Sequence, residues 1–397
     1  MVDDATPEHV GRRIARWRKK RDLTQIGLAQ RANYSRSYLV QVEAGHKVAT
    51  PAFVAATAAA LGVDPSVLWG QPYGHDDHVH AAVPQLRRVL AYVDVGPELA
   101  SPPRSLDVLA AEVATAQRLM LKAQLTKIGE RLPAVLEELM HWAYETDDPR
   151  AWGLLSRAFR AAGSLTRRLG YSGDALALLG CGADAARRSQ DPNLPLLVTL
   201  VRALILMNLN EPKPALKLLD QAAANVDDDS PDGGEVGGAI ELRSAIIAAR
   251  AARDHDEYSS RAWDYWRRAA ERIRRGRVGT PVHLLEFTPA NVAIHGAAVA
   301  VELGDMDEAA RRDHEIGEPT LAKLPPERRA HHEIDMSRVH VETGNYSKAE
   351  ARLESADRIA PQMVTFHPTA RSVVTHLVGV RRTLPEPLRR LHHRMRT

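Results

Sequence analysis

The stretch LTQIGLAQRANYSRSYLVQVEAG, Leu23 to Gly45, sets two short helical patterns end to end with an Asn and a Ser between them. Leu28 and Ala29 mark the buried side of the first piece, with Ile26 a further candidate, and Leu39 and Val42, three residues apart, mark that of the second. Ala29 is small, as a close helix crossing demands. The chain must reverse at Asn33, where a left-handed backbone suits Gly best and Asn next. Ser35 then suits the N-cap of the restarted helix. With Leu39 and Val42 turned inward, Arg36, Ser37, Tyr38 and Gln41 face outward. Arg pairs with guanine edges, Gln with adenine edges, and Ser or Tyr with bases or phosphates. Gln25, at the start of the first piece, is placed to meet a backbone phosphate. One helix crossing the backbone while the next enters the major groove is helix-turn-helix docking.

Around this stretch the pattern extends to five short helices. GRRIARWRKKR carries Val10, Ile14 and Trp17 on one apolar stripe, with Arg13, Arg16, Lys19 and Lys20 on the other faces. Thr50-Pro51 opens PAFVAATAAALGV, which Gly62 ends, and Asp64-Pro65 opens PSVLWG. Residues 1–75 hold ten Lys and Arg against six Asp and Glu, about +4, while the rest holds 43 against 44, about −1. The positive excess of the whole chain, +3, therefore sits in the N-terminal segment and points to an anionic partner there.

Taken together, GRRIARWRKKR, LTQIGLAQRA, SYLVQVEAG and ALGVDPSVLW resemble the XRE family of bacterial regulators, relatives of the lambda-type repressors, over Val10 to about Trp69. The resemblance implies a five-helix DNA-binding domain in which Gln25 touches phosphate, Ser35, Arg36, Ser37 and Gln41 touch DNA, and Arg18 and Glu43 form a structural ion pair tying the first helix to the third. Asn33 stands where that family more often has Gly. The loop GHKVATP is only weakly basic, which implies few phosphate contacts after the third helix.

Residues 74–104, beginning GHDDHVHAAVPQ and containing VGPELASPPRS, read as a linker with a short helix near Gln85–Asp94. Residues 105–397 read as long amphipathic helices. Four turns recur within them: LGYSGDA (169–175), LNEPKPA (209–215), LGDMDEA (303–309) and TGNYSKA (343–349). Their last Ala residues are 40 apart in the first pair (175 to 215) and 40 in the second (309 to 349). The gap from 215 to 309 has room for two units, with ARDHDEY (252–258) as a degenerate turn and RRGRVGTPVHLLEF as an insertion. Two helices per 40-residue unit describe an α-solenoid, so the expected fold is all-α: a lambda-repressor-like head, 1–73, followed by helical repeats. RLPAVLEELMHWAYETDDPRAW and LGYSGDALAL look like the tetratricopeptide-type regions joined to XRE domains in actinobacterial regulators, and the layout is similar to peptide-sensing regulators of other bacteria. That resemblance implies a homodimer and an effector, peptide, small molecule or protein, on a concave face. In such relatives inward Asn side chains clamp a peptide; here Asn208 and Asn291 read rather as helix-end or exposed residues. Trp263, Tyr265 and Trp266 cannot share one face and read as ordinary core and surface aromatics.

The remaining chemistry is sparse. There is no GxxxxGK[ST], HExxH, GxSxG or strand-borne GxGxxG, so no enzyme is expected and no cofactor. HDDHVH (75–80) has metal-ligand types but reads as solvated linker; HHE (331–333) with His340 is spaced too widely to chelate easily. Cys181 has no neighbouring base to lower its pKa and reads as a small packed residue; a single Cys excludes an intrachain disulfide framework. The longest apolar run, LPLLVTLVRALILMNL, is interrupted by Arg202 and falls short of a membrane span, and the start carries no signal-peptide pattern, so a cytoplasmic protein is expected. The expected function is a dimeric transcription regulator binding a double-stranded operator. A rival class is a repeat scaffold for proteins with only weak, non-specific DNA binding.

Overall fold

The computed structural model describes residues 8–73, 78–252, 257–278, 281–381 and 383–396, and all its regular structure is helical. The N-terminal head comprises α1 (Val10–Lys20), α2 (Gln25–Arg31), α3 (Arg36–Glu43), α4 (Pro51–Leu61) and α5 (Pro65–Trp69). Its helices start where side-chain caps are available: Thr24, Ser35, Thr50 and Asp64 accept from the amides of Gly27, Tyr38, Phe53 and Ser66. Gly62 and Gly70 end α4 and α5 in the left-handed region. Ile14, Leu28, Leu39, Phe53 and Leu68 are fully buried and form the centre of the head.

The segment after the head is not a free linker. A 3-10 turn (His78–Ala81) leads into α6 (Ala82–Ala91), and Tyr73, Val79, Val83, Leu86 and Val89 are all buried in one core with the head and the first long helices. Residues 79, 83, 86 and 89 fall three or four apart, a helical apolar stripe that the surrounding Pro and Gly obscured. His75, Asp76 and Asp77 lie outside the described residues. His80 is buried, its Nε2 at 2.5 Å from the Tyr73 carbonyl and its Nδ1 at 3.2 Å from the Tyr171 hydroxyl, so both ring nitrogens are engaged.

Helical hairpins follow. They are α7 (Leu106–Leu121) with α8 (Leu125–Thr146), α9 (Pro149–Arg168) with α10 (Ser172–Arg188), α11 (Asn193–Asn208) with α12 (Pro212–Ala223), and α13 (Gly233–Ala251) with α14 (Glu257–Arg274). Next come α15 (Pro289–Leu303) with α16 (Met306–Leu321) and α17 (Pro326–Glu342) with α18 (Tyr346–Ile359), then α19 (Pro361–Phe366), α20 (Pro368–Val380) and α21 (Glu386–Arg396). The four recurring turns share one geometry. Their second residues, Gly170, Asn210, Gly304 and Gly344, have φ of 93°, 65°, 83° and 75°. The amide of the third residue reaches back to close the preceding helix: Tyr171 to the Thr166 carbonyl, Glu211 to Leu206, Asp305 to Ala300 and Asn345 to His340. The final Ala residues, Ala175, Ala215, Ala309 and Ala349, have no exposed surface, because there each second helix crosses its first too closely for a larger side chain. The degenerate turn falls between α13 and α14, with residues 253–256 outside the described ones, and the insertion falls between α14 and α15.

The array returns on itself. Arg168 at the end of α9 pairs with Glu327 at the start of α17 at 2.5 Å, Gln362 donates to the Thr126 hydroxyl at 2.8 Å, and Phe366 packs in the same core as the head. This closure buries polar groups that an open solenoid would leave wet. His295 on α15, its Nδ1 2.7 Å from the Asn291 carbonyl, is pushed down to about 3 by burial and by Arg328, Arg243 and His331. Below its ordinary value of 6.5 the unfolded imidazole takes up a proton that the folded one refuses. Stability therefore falls as pH drops from 6.5 towards 3, by up to about 1.4 kcal/mol per pH unit for each such imidazole. Urea unfolding of His295→Gln and of the parent, compared between pH 6.5 and 4.5 so that the carboxylates common to both cancel, is expected to show a shallower pH dependence for the variant; an unchanged slope would exclude His295 as a source.

Candidate nucleic-acid interface

The turn between α2 and α3 is built by Asn33, at φ 55°, with the Tyr34 amide donating to the Ala29 carbonyl at 2.9 Å. Leu28, Ala29, Leu39 and Val42 are buried. Ile26 faces the other way and is 52% exposed, contrary to its reading as a core candidate: one residue after the start of α2 it lies about 160° away from the buried side set by Leu28. Gly11 sits against the Val42 carbonyl where α1 crosses α3, so close that a Cβ there would stand 1.8 Å from the oxygen.

Arg36, Ser37 and Gln41 are exposed on α3, and Ser35 is exposed while its hydroxyl caps the helix. Tyr38 departs from the expectation. Its ring is half-buried, stacked on Tyr34 at 5.6 Å and edge-on to Phe53 at 4.9 Å, and its hydroxyl donates to the Val48 carbonyl at 3.4 Å. At i+3 from Ser35 it lies over the start of α4, where apolar packing wins over solvent. Gln25, at the start of α2, is half-buried and donates from Nε2 to Glu43 Oε2 at 2.8 Å. Glu43 in turn receives Arg18 through two contacts, Nε to Oε1 at 2.7 Å and Nη2 to Oε2 at 3.0 Å. This chain of three ties α1, α2 and α3 together and fixes the rotamer of Gln25, whose remaining amide atoms stay at the N-terminus of α2.

Two cations that look free in the sequence are not. Arg13 donates to the Leu68 and Trp69 carbonyls at 2.7 and 2.8 Å, closing the end of α5, and Arg21 donates to Leu61 at 3.1 Å, closing α4. The loop after α3 is docked on the helical array: Lys47 lies 3.6 Å from Glu342 of α17, and Val48 is buried among residues of the C-terminal helices.

The helical array holds the other candidates. Tyr265 is buried and donates to Asp220 at 2.6 Å, Trp266 donates to the Val292 carbonyl at 2.9 Å, and Arg312 stacks on Trp263 and Trp266 at 4.5 Å. His332 is buried against Asp313 at 2.8 Å, and among the described residues no group of three or more ligand-type side chains gathers as a metal site would need. Burial pushes the Cys181 thiol up to about 11, away from nucleophile behaviour. Among the described residues no helix is long and apolar enough to cross a membrane. Asn208 ends α11 and Asn291 lies in the first turn of α15, where it is buried; both line a cavity of about 390 Å³ inside the array. Sequence periodicity carried only a weak signal for it: 291, 295, 298 and 302 on α15 and 328, 331, 335 and 338 on α17 each alternate steps of three and four, one face of a helix.

Residues 9–68 match the family model described as a helix-turn-helix domain. Over 62 residues the chain is 44% identical to the immunity repressor protein of Bacillus phage phi105, a match that takes in 16% of this chain and 43% of the repressor, so the chain spans less than half the length of that relative. Two solved structures are similar. One is BtubC (BKLC) from P. vanneervenii, at 20% identity over 64% of this chain and 92% of that one, with a TM-score of 0.38. The other is Bacillus thuringiensis PlcR in complex with the peptide PapR7 and DNA, at 12% identity over 92% and 99%, with a TM-score of 0.29. At such TM-scores neither likeness carries weight. The head is a helix-turn-helix domain homologous to that of a phage repressor.

Proposed function

We propose that this protein is a sequence-specific DNA-binding transcription regulator, working in the cytoplasm by binding rather than by catalysis. The observation that carries this reading is the exposed face of α3, where Arg36, Ser37 and Gln41 stand clear of the packed side on a helix capped by Ser35. The helix-turn-helix family match over residues 9–68 and the 62-residue similarity to a phage immunity repressor support it. A homodimer would place two such heads on a palindromic operator one helical turn apart. The helical array would hold the dimer and answer to a peptide, small-molecule or protein effector. The docking of the loop Lys47–Val48 on the C-terminal helices gives a change in the array a direct hold on the head.

In footprinting against the selected operator, Arg36→Ala is expected to lose about 1–3 kcal/mol at one base pair and to relax the choice of base there. Gln25→Ala is expected to weaken binding evenly across sequences. A footprint unchanged by Arg36→Ala would falsify α3 as the reading helix. Binding that resists specific competitor no better than random DNA, and that vanishes with salt, would favour the scaffold reading instead.

A further inference from the structure

The closed array encloses charge that it does not neutralise. Seven arginines line the central cavity; Arg168, Arg250 and Arg328 pair with carboxylates, and four do not: Arg160 and Arg167 on α9, Arg243 on α13 and Arg338 on α17. Arg160 and Arg167 are seven residues apart and so share a face of their helix. Each of the four has a buried Nε without a hydrogen-bond partner, and Arg338 has a second such atom, Nη2. None of them is within salt-bridge distance of a carboxylate among the described residues. The acids of the cavity are committed elsewhere or suppressed: Glu327 pairs with Arg168, Glu302 pairs with Arg250 at 2.7 Å, and burial holds the Asp335 carboxyl above its ordinary range. Burial and neighbouring cations push Arg160 down to about 10 and Arg167 and Arg243 to about 9. Removing an ion from water costs several kcal/mol unless a counter-charge is supplied, so an assembly of stranded cations opposes folding in the empty state.

We propose that the cavity is the binding site of a small organic anion whose carboxylate or phosphate oxygens take the unspent N–H donors of these four arginines. Its apolar part would lie against the leucine and isoleucine side chains that α11 and α13 present to the same cavity. A volume of about 390 Å³ suits such a molecule. The cavity also reaches the head, where Trp69 and Gln71 form part of its wall, and Gln71 packs on Gly170 so closely that a Cβ there would stand 2.6 Å from it. An occupant would therefore touch the segment that carries the DNA-binding helices. This inference rests on the reading of the array as an effector domain and names the chemistry of its ligand.

Thermal unfolding of the full chain tests it, with pyrophosphate, citrate and octyl phosphate as probes at constant ionic strength, and octyl glucoside as the uncharged control. Saturable stabilisation of ~2 °C or more by sub-millimolar anion is expected, with none from the control. The pyrophosphate and citrate arms separate phosphate from carboxylate sources, and a larger shift with octyl phosphate reports the apolar wall. Arg243→Met and, on a different helix, Arg338→Met are each expected to abolish the shift while raising the melting temperature of the ligand-free protein, because a stranded cation is gone. Arg187→Met, at an exposed surface pair, should leave the shift intact. No saturable shift with any anion, or a shift retained in both cavity variants, overturns the proposal. If the anions bind but operator affinity does not change, the site stands and the effector reading falls; if operator affinity responds only to an uncharged molecule, the reverse holds.

Discussion

Glu43→Ala is expected to destabilise the head by about 3–5 kcal/mol, the range for removing one member of a buried ion pair. The Arg18 and Glu43 side chains are only 11% and 7% exposed, so neither charge is screened as a surface pair would be. Alanine would leave the Arg18 guanidinium with one protein acceptor, the Leu23 carbonyl at 2.9 Å, and would release the amide of Gln25. Two readouts should move together. Hydrogen exchange of the α1–α3 amides should accelerate, and DNA affinity should fall for all sequences alike, because Gln25 loses the contact that orients it. The double variant Arg18→Met/Glu43→Leu removes both charges and should recover most of the stability while leaving the DNA defect in place. A loss under about 1 kcal/mol for Glu43→Ala would mean the pair behaves as an exposed one.

The parts of this molecule that local chemistry dictates were readable from the residues. The Asn33 turn, the Ser35 and Thr50 caps and the Gly and Asn positions of the repeated turns each follow from backbone preferences acting over a few residues. The all-helical architecture followed from a composition rich in Ala, Leu and Arg, and the hairpin array from the spacing of those turns. The Arg18–Glu43 contact came only from the family resemblance, since residues 25 apart carry no local signal. What stayed hidden depends on chain segments meeting at long range. Arg13, placed by periodicity only on a polar face of the first helix, closes α5, and Arg21 closes α4. Tyr38 looked outward because α4 was not yet placed beneath it. The residues around Val79 and Val83 looked like linker because the core they join is formed by helices far along the chain. The cavity arginines were invisible for the same reason: each is an ordinary basic residue of an amphipathic helix until the array closes and turns those faces towards one another.

Gly11→Ala is expected to be the most damaging single-methyl change in the head. A Cβ at that position would meet the Val42 carbonyl oxygen at 1.8 Å and its carbon at 2.6 Å. Backbone atoms inside a helix cannot rotate aside as a side-chain tip can, so α1 must retreat from α3. That retreat opens the packing of Ile14 against its neighbours and lengthens the contact between Arg18 and Glu43, so loss of buried surface adds to the steric strain. Overpacking of a tight core typically costs about 1–3 kcal/mol, and a clash with fixed backbone belongs at or beyond the top of that range. Alanine is otherwise the better helix former by roughly 1 kcal/mol, so any destabilisation measured is net of a favourable propensity. Gly27→Ala is the matched control: its nearest neighbour is the Thr24 hydroxyl at 3.3 Å, a side-chain tip that needs to give only a few tenths of an ångström while still capping α2, and its effect should lie within about 1 kcal/mol of zero. Urea unfolding with hydrogen exchange resolved to α1–α3 distinguishes the two variants. Equal stability for both would show that α1 can shift along α3 without loss, and that the crossing at Gly11 does not set the position of the reading helix.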